Sequence, residues 1–553
     1  RFYNKSPPPR GALQNALKMV RTRRRNTSKR TACEVEGVPS PKKSAPRVPR
    51  GLDFEAYAQV ARGAIASRLL TLVLCILFDY LLLDFDRSAG LHWPTCYSDL
   101  RAEKLHKSDF GFQVGRLETT DLTEENLSLH GEVTSTWGLD TEVHTESGGA
   151  TIVKFAKVLA YAVKRAIVWD GVHFTRICQC GYEFDHQIAF LPLWPLGMRT
   201  TAKCINTLKS VLGRLFSMSR SLRLVLELEL GEALTCAISG VALSNIFFVL
   251  SSVSLFRLSR RLGFSDKLAK RACLIYAFNP AAVFYSSIYT ESMYNFLHFE
   301  ALVHLFSSSN FHRTSSSKLI HGIVCTALLS AATFARSNGI LNCVIILAVR
   351  LQFCVQTCVR KPERSARSWR RLSIGVSSDQ LWSVLKQMVL AGIQCVAIVA
   401  PFYLCQISFQ VYWCKAYRQD LSMLTDDKVN AQLELIGAHW CKGNPLLPKV
   451  YQIIQNQYWG VGFFKFYQIS QIPNFCLALP IWVCTAFHVH KFVTKTMWLS
   501  SASPSSDVVI ALVHLIYDEN MFGQLALCSH WVLMCFVSVV IMNVQVSTRF
   551  LST

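Results

Sequence analysis

The segment IVWDGVHFTRICQCGYEFDHQIAFLPLWP, residues 167–195, gathers Asp170, His173, Glu183, Asp185 and His186 among aromatic residues in an otherwise strongly apolar chain. Partly dry surroundings at a membrane surface strengthen a carboxylate's pull on a hydroxyl proton. Asp170, directly after Trp169, therefore reads as a general base, as the cap of a helix that begins at Gly171, or as both. His173, one turn on, falls on the same helical face. It holds a phosphate or a hydroxyl there, or serves as a structural hydrogen bonder. Glu183, Asp185 and His186 read as a solvated turn.

Four later stretches carry candidate chemistry. NPAAVFYSSIYTESMYNF, residues 279–296, breaks a helix at Asn279-Pro280 and then presents Tyr289 and Glu291 where the chain leaves and re-enters the bilayer. Glu291 suits either the positive end of the next helix or a second catalytic or metal-orienting position. ARSNG, residues 335–339, interrupts an apolar region with Arg336 and Asn338, as a tight turn or as a grip on phosphate. VQVSTRF, residues 544–550, offers Arg549 for the same purpose. NQYWGVGFFKFYQISQIPNF, residues 456–475, interleaves aromatic residues with glycine and one lysine. Trp459 and Lys465 read as sugar or lipid contacts, or as part of an interfacial aromatic belt.

The elements that must position these residues are membrane helices. Of 553 residues 51% are hydrophobic and 17% charged, below the roughly 25% charged of ordinary soluble domains. A spanning helix needs about twenty largely apolar residues. About nine such runs are visible, at 60–83, 232–256, 272–288, 292–306, 319–335, 340–355, 387–407, 473–489 and 525–546.

The net charge of +22 could mark a nucleic-acid binder, but its placement argues for a membrane. The first fifty residues hold fourteen Lys or Arg against two Glu, and basic clusters at 257–271, 312–318, 360–371 and 488–495 lie between apolar runs. If these share the cytosolic side, as the positive-inside rule directs, all remaining connections face the lumen. Residues 1–59 are then a disordered basic cytosolic tail, and 60–553 one multispanning domain. Its first luminal loop covers 84–231 and its second 408–472. Asp170, Tyr289, Glu291, Arg336, Trp459 and Arg549 fall on one face.

Within the first loop, Asn126 heads an N-x-S sequon. Residues 151–168 suit an amphipathic interfacial helix, and AFLPLWPLGM, residues 189–198, a Pro-broken surface or re-entrant segment. The amino-terminal stretch lacks the apolar core of a cleaved signal peptide. The twenty cysteines are scattered, most read as small core hydrophobes, and the Cys178-Cys180 pair has no second pair at zinc-site spacing. P-loop, dinucleotide GxGxxG, HExxH and GxSxG signatures are absent from the sequence.

What remains is a multispanning protein with luminal carboxylates and arginines, suited to moving a sugar from a lipid phosphate to a hydroxyl. A transporter is the rival of a different class, with Arg68, Asp79 and the luminal arginines lining a path, although no internal repeat accompanies it.

The blocks WDGVHF, GYEFDH, AFLPLWP, YTESMYNF, FARSNG, YWGVGFFKFYQISQIPNF and VQVSTRFL resemble, in order and separation, the PIG-V family of GPI mannosyltransferases. The resemblance implies a GT-C glycosyltransferase fold, all-α and polytopic, in the endoplasmic reticulum membrane with a luminal active site. It implies inverting transfer of the second mannose, α-1,6-linked, from dolichol-phosphate-mannose to the GPI precursor. Another GT-C transferase with a different acceptor is the nearer alternative.

Trp169 and Asp170 match the family's luminal Trp-Asp pair. Asp170 is the expected base, Glu291 its support, and Arg336 and Arg549 the cations for the departing phosphate. No cofactor and no metal-ligand set are expected, and metal dependence stays open. The partners implied are the lipid-linked donor and acceptor and a small accessory membrane subunit, with no nucleic acid. Residues 1–50, 88–149, 217–230 and 516–530 look additional to the family pattern, and the carboxyl end is expected to be truncated.

Overall fold

In a computed structural model, the described residues are 54–81, 96, 163, 166–215, 231–308, 315–358, 377–420, 439–442, 446, 448–501, 515–544 and 547–550. The basic tail, Asn126, most of the 151–168 segment and the stretch 217–230 lie outside them. No strand occurs among the described residues.

Among the described residues fourteen α-helices follow one another. They are α1 (Phe54–Leu81), α2 (Asp170–Cys180), α3 (Leu193–Leu215), α4 (Glu232–Arg261), α5 (Asp266–Ala277), α6 (Ala282–Ser286) and α7 (Glu291–Ser308). Then come α8 (Ser315–Ala335), α9 (Cys343–Cys358), α10 (Ser378–Asp420), α11 (Val450–Trp459), α12 (Ile472–Ser501), α13 (Glu519–Val540) and α14 (Ser547–Phe550). Short 3-10 turns lie at Asp185–Ala189, Ser337–Asn342, His439–Lys442 and Ile469–Gln471. Helix α7 is the centre, packed between α4 and α8.

Among the described residues seven helices are long and apolar enough to cross a membrane: α1, α4, α8, α9 with its preceding turn, α10, α12 with its preceding turn, and α13. Two expected spans take another form. The run 272–288 is broken into α5 and α6 around Asn279-Pro280, because proline supplies no backbone donor and obstructs the preceding turn. Arg68 of α1 fills the gap, donating to the carbonyls of Ala277 (2.8 Å) and Ala282 (2.9 Å) and to Ser286 Oγ (3.1 Å). Its guanidinium lies 3.8 Å from the centre of the Phe248 ring. This buried cation is thus bound to backbone carbonyls rather than lining a path for solutes. The other, α7, has 18 residues and carries Asn295, His298, Glu300 and His304, too polar to stand alone in lipid.

Helix α10 runs on to Asp420, twelve residues or more into the segment read as the second luminal loop, with Pro401 inside it. The Pro-containing segment 189–198 leads into the 23-residue helix α3, which is not among the helices long and apolar enough to cross a membrane. Pro195 stands in its first turn, where a backbone donor has no intrahelical partner to lose. Trp194 and Met198 of that turn are fully buried against α2 and α4.

The cysteines divide. Thirteen are free among the described residues, while six form the disulfides Cys96–Cys180, Cys178–Cys236 and Cys414–Cys441. Cys178 and Cys180 are therefore each committed to a different partner. A close group of Cys96, Cys180 and Glu183 has metal-ligand geometry only nominally, since its two sulfurs are bonded to one another.

Candidate active site

Four charged residues, far apart in sequence, meet at one end of the bundle. Glu291 begins α7 and is 2% exposed. Its Oε1 receives Arg336 Nη1 at 2.6 Å, Arg549 Nη2 at 2.7 Å and Arg549 Nε at 2.8 Å. Arg549 Nη2 also reaches Asp170 Oδ2 at 3.2 Å. Two carboxylates and two guanidiniums thus balance in charge within a largely dry space, the condition under which buried ions are tolerated. Burial opposes the charge on Arg549, yet Glu291 and Asp170 beside it hold its pKa above the ordinary arginine value.

Local structure places each group. Trp169 precedes α2 with φ 46°, a left-handed conformation costly for a bulky residue. Tyr289 holds it there: its hydroxyl accepts from Asp170 N at 3.2 Å and donates to the Val168 carbonyl at 3.3 Å. Burial keeps that phenol protonated, raising its pKa far above the usual range. The helix start has no side-chain cap, so Asp170 does not cap α2; its carboxylate faces Arg549 instead. The Trp169 indole, half exposed, stacks on Phe284 at 5.5 Å. Arg549 in turn lies 4.6 Å from the Phe284 ring centre and 4.8 Å from that of Tyr289, a cation–π geometry.

Arg336 enters through the turn after α8, where its Nη1 also donates to Thr290 Oγ1 at 3.0 Å. Gly339 closes that turn against α8. A Cβ there would stand 2.6 Å from the Thr333 Cα, so only glycine permits this approach. Asn338 keeps a buried Oδ1 without a hydrogen-bond partner among the described residues. Arg549 is set by Ser547, which accepts from Trp482 Nε1 at 3.3 Å and donates to Ser538 Oγ at 3.1 Å.

The structure thus brings together Asp170, Tyr289, Glu291, Arg336 and Arg549, with Trp169 at the rim. His173 and Trp459 form a separate aromatic group, ring centres 6.4 Å apart. Lys465 is exposed and donates to Asn456 Oδ1 at 2.6 Å. Glu183, Asp185 and His186 do not form a solvated turn. Glu183 is 6% exposed at its side chain and paired with Arg176 at 2.7 Å, and Asp185 accepts from Tyr458 at 2.8 Å. The aromatic floor beneath this turn removes it from water.

Sequence reasoning missed Tyr451 and Phe284. Tyr451 of α11 hydrogen-bonds Ser337 at 2.7 Å and lies within the field of both Arg336 and Asp170. Burial raises its hydroxyl pKa. An aromatic residue in so aromatic a chain gives no signal of its own.

An all-α, multispanning protein with a buried carboxylate–arginine cluster at one end of its helices is the class these features define. Its particular place is plain from comparison: the chain belongs to the mannosyltransferase (PIG-V) family, which it matches over residues 147–553. It is 26% identical to GPI mannosyltransferase 2 of Drosophila pseudoobscura pseudoobscura, over 70% of this chain and 75% of that one. It is 27% identical to GPI alpha-1,6-mannosyltransferase 2 of Mus musculus and of Homo sapiens, over 60% of this chain. The chain spans 58% of the length of those two mammalian relatives. No solved structure matches.

Proposed function

We propose that this chain transfers a mannose, the second of the GPI anchor and α-1,6-linked, from dolichol-phosphate-mannose to the GPI precursor on the luminal side of the endoplasmic reticulum membrane. The observation that carries the reading is the joining of Asp170 and Glu291 through Arg549, with Arg336 on the same carboxylate. The three disulfides support a luminal site, because disulfides persist in that compartment, and five of the six cysteines belong to segments threaded to that side while the sixth, Cys236, lies five residues into the span α4 that leaves the first luminal loop.

The two carboxylates divide the work by exposure. The Asp170 side chain is 34% exposed and that of Glu291 3%, so only Asp170 is open to an incoming hydroxyl. In the reaction the acceptor's 6-hydroxyl oxygen attacks the anomeric carbon of the donor mannose. The bond from that carbon to the phosphate oxygen breaks, and dolichyl phosphate leaves with the electron pair. Asp170 takes the hydroxyl proton as the new bond forms. Arg336 and Arg549 meet the charge growing on the phosphate, and their planar forks suit its oxygens. Glu291 fixes both cations, and its buried Oε2 has no hydrogen-bond partner among the described residues.

The test is transfer of labelled mannose from dolichol-phosphate-mannose to a one-mannose GPI precursor, in microsomes that lack this activity until the chain is expressed. A two-mannose product cleaved by an α-1,6-specific mannosidase is expected. Absence of product, or an accepted mannose in another linkage, would overturn the assignment.

A further inference from the structure

One helical turn from Asp170, α2 contributes to a second assembly that the transfer chemistry does not use. His173 stacks on Phe190 at 4.7 Å and meets His186 edge-on at 5.1 Å. His186 lies 5.4 Å from Tyr458, and Trp459 closes the group against Phe190 at 5.7 Å. Three segments supply these rings: α2, the turn Asp185–Ala189 with its following residue Phe190, and the end of α11. The group opens outward at Tyr458, which is 45% exposed, and is sealed behind by Phe190, which is 8% exposed.

A carboxylate completes it. Asp185 Oδ1 accepts from the His186 backbone at 2.7 Å and from the Tyr458 hydroxyl at 2.8 Å. Both bonds fall on one oxygen, which leaves Oδ2 to a ligand. Burial keeps His173 and His186 below the ordinary imidazole pKa, so both rings are neutral near pH 7 and each offers one donor and one acceptor.

Flat apolar ring faces set beside a fixed carboxylate and neutral imidazoles fit a pyranose, whose C–H face packs on aromatic rings while its hydroxyls seek acceptors. We propose that His173, His186, Tyr458 and Trp459, with Asp185 at their edge, form a binding subsite for a hexose ring of one of the two lipid-linked substrates. The inference rests on the reading of the chain as a mannosyltransferase. A lipid tail would have no use for the carboxylate, and a plain interfacial belt no use for the Tyr458–Asp185 bond.

The test is steady-state transfer in the same microsomes with Asp185→Asn and Tyr458→Phe, varying donor and acceptor separately. A rise of about tenfold in KM for one substrate, with kcat within about twofold, is expected for Asp185→Asn, and a smaller rise in the same KM for Tyr458→Phe. A rise confined to the acceptor's KM places the acceptor's sugar on the wall; one confined to the donor's KM places the donor's mannose there. Unchanged KM values for both substrates overturn the subsite. Should Asp185→Asn fail to accumulate, Tyr458→Phe at an exposed position removes the same hydrogen bond and decides alone. Failure of the wild-type chain to transfer mannose is a different result and bears on the function itself.

Discussion

Arg549 Nη2 lies 3.2 Å from Asp170 Oδ2, across 379 residues of chain. That contact joins the carboxyl-terminal helix to the strained turn at Trp169 and makes Asp170 the exposed member of a cluster otherwise sealed from water.

Asp170→Asn keeps the shape of the side chain and removes its ability to take a proton. Transfer is expected to fall by about 10²–10⁴-fold, the usual worth of a positioned base, with accumulation close to wild type. Product formation per unit of protein measures it; undiminished turnover would reduce Asp170 to a partner for Arg549.

Arg336→Lys and Arg549→Lys retain charge but not the fork that engages Glu291 and a phosphate together. Each is expected to lose tenfold or more in transfer. Glu291→Gln is expected to act on the fold instead, since leaving buried guanidiniums without their carboxylate costs about 3–5 kcal/mol. Thermal unfolding in detergent separates the two kinds of loss.

Gly339→Ala drives a Cβ to within 2.7 Å of the Thr333 backbone nitrogen. Backbone cannot yield as a flexible side chain does, so the turn carrying Arg336 must shift. Expected are a lower unfolding temperature and a loss of transfer comparable to Arg336→Lys. Gly322→Ala, where an added Cβ meets nothing within 4 Å, is the control.

Burial, aided by the neighbouring His186, lowers the His173 pKa to about 4, and burial lowers that of His186 despite Asp185 nearby. Unfolded, both titrate near 6.5. At His173 the unfolded chain therefore binds, between about pH 6.5 and 4, a proton that the native fold excludes, and His186 acts in the same direction below pH 6.5. The contribution of the pair is complete above pH 6.5 and declines as pH falls, by at most about 1.4 kcal/mol per pH unit for each histidine. Unfolding temperature against pH, compared with a His173→Phe variant, reads this out as a shallower acid slope in the variant.

The membrane architecture and the charge cluster were legible for one shared reason. Glu291, Arg336 and Arg549 are charges at the ends of apolar runs, where lipid makes any charge conspicuous, and the alternation of basic loops assigned all three to one side. Tyr451 and Phe284 are aromatic residues in an aromatic chain and stood out from nothing. The disulfides needed knowledge of which cysteines meet in space; Cys178 and Cys180, which lack a second pair at zinc-site spacing, bond two separate partners. The aromatic wall was hidden because its halves lie at 173–190 and 458–459, and only packing joins them. The break after Ala277 was marked by Pro280, but nothing local announced that Arg68, more than two hundred residues earlier, would occupy it.

The order of synthesis gives the Arg549 contact a further meaning. Glu291 leaves the ribosome 258 residues before Arg549, a delay of roughly 13–50 s at about 5–20 residues per second. Throughout that interval Arg336 is the sole cation of the pair that can shield Glu291, and Asp170 has no guanidinium at all. The charge cluster around Glu291 thus stays open until residue 549 has been made, however early its other members have folded.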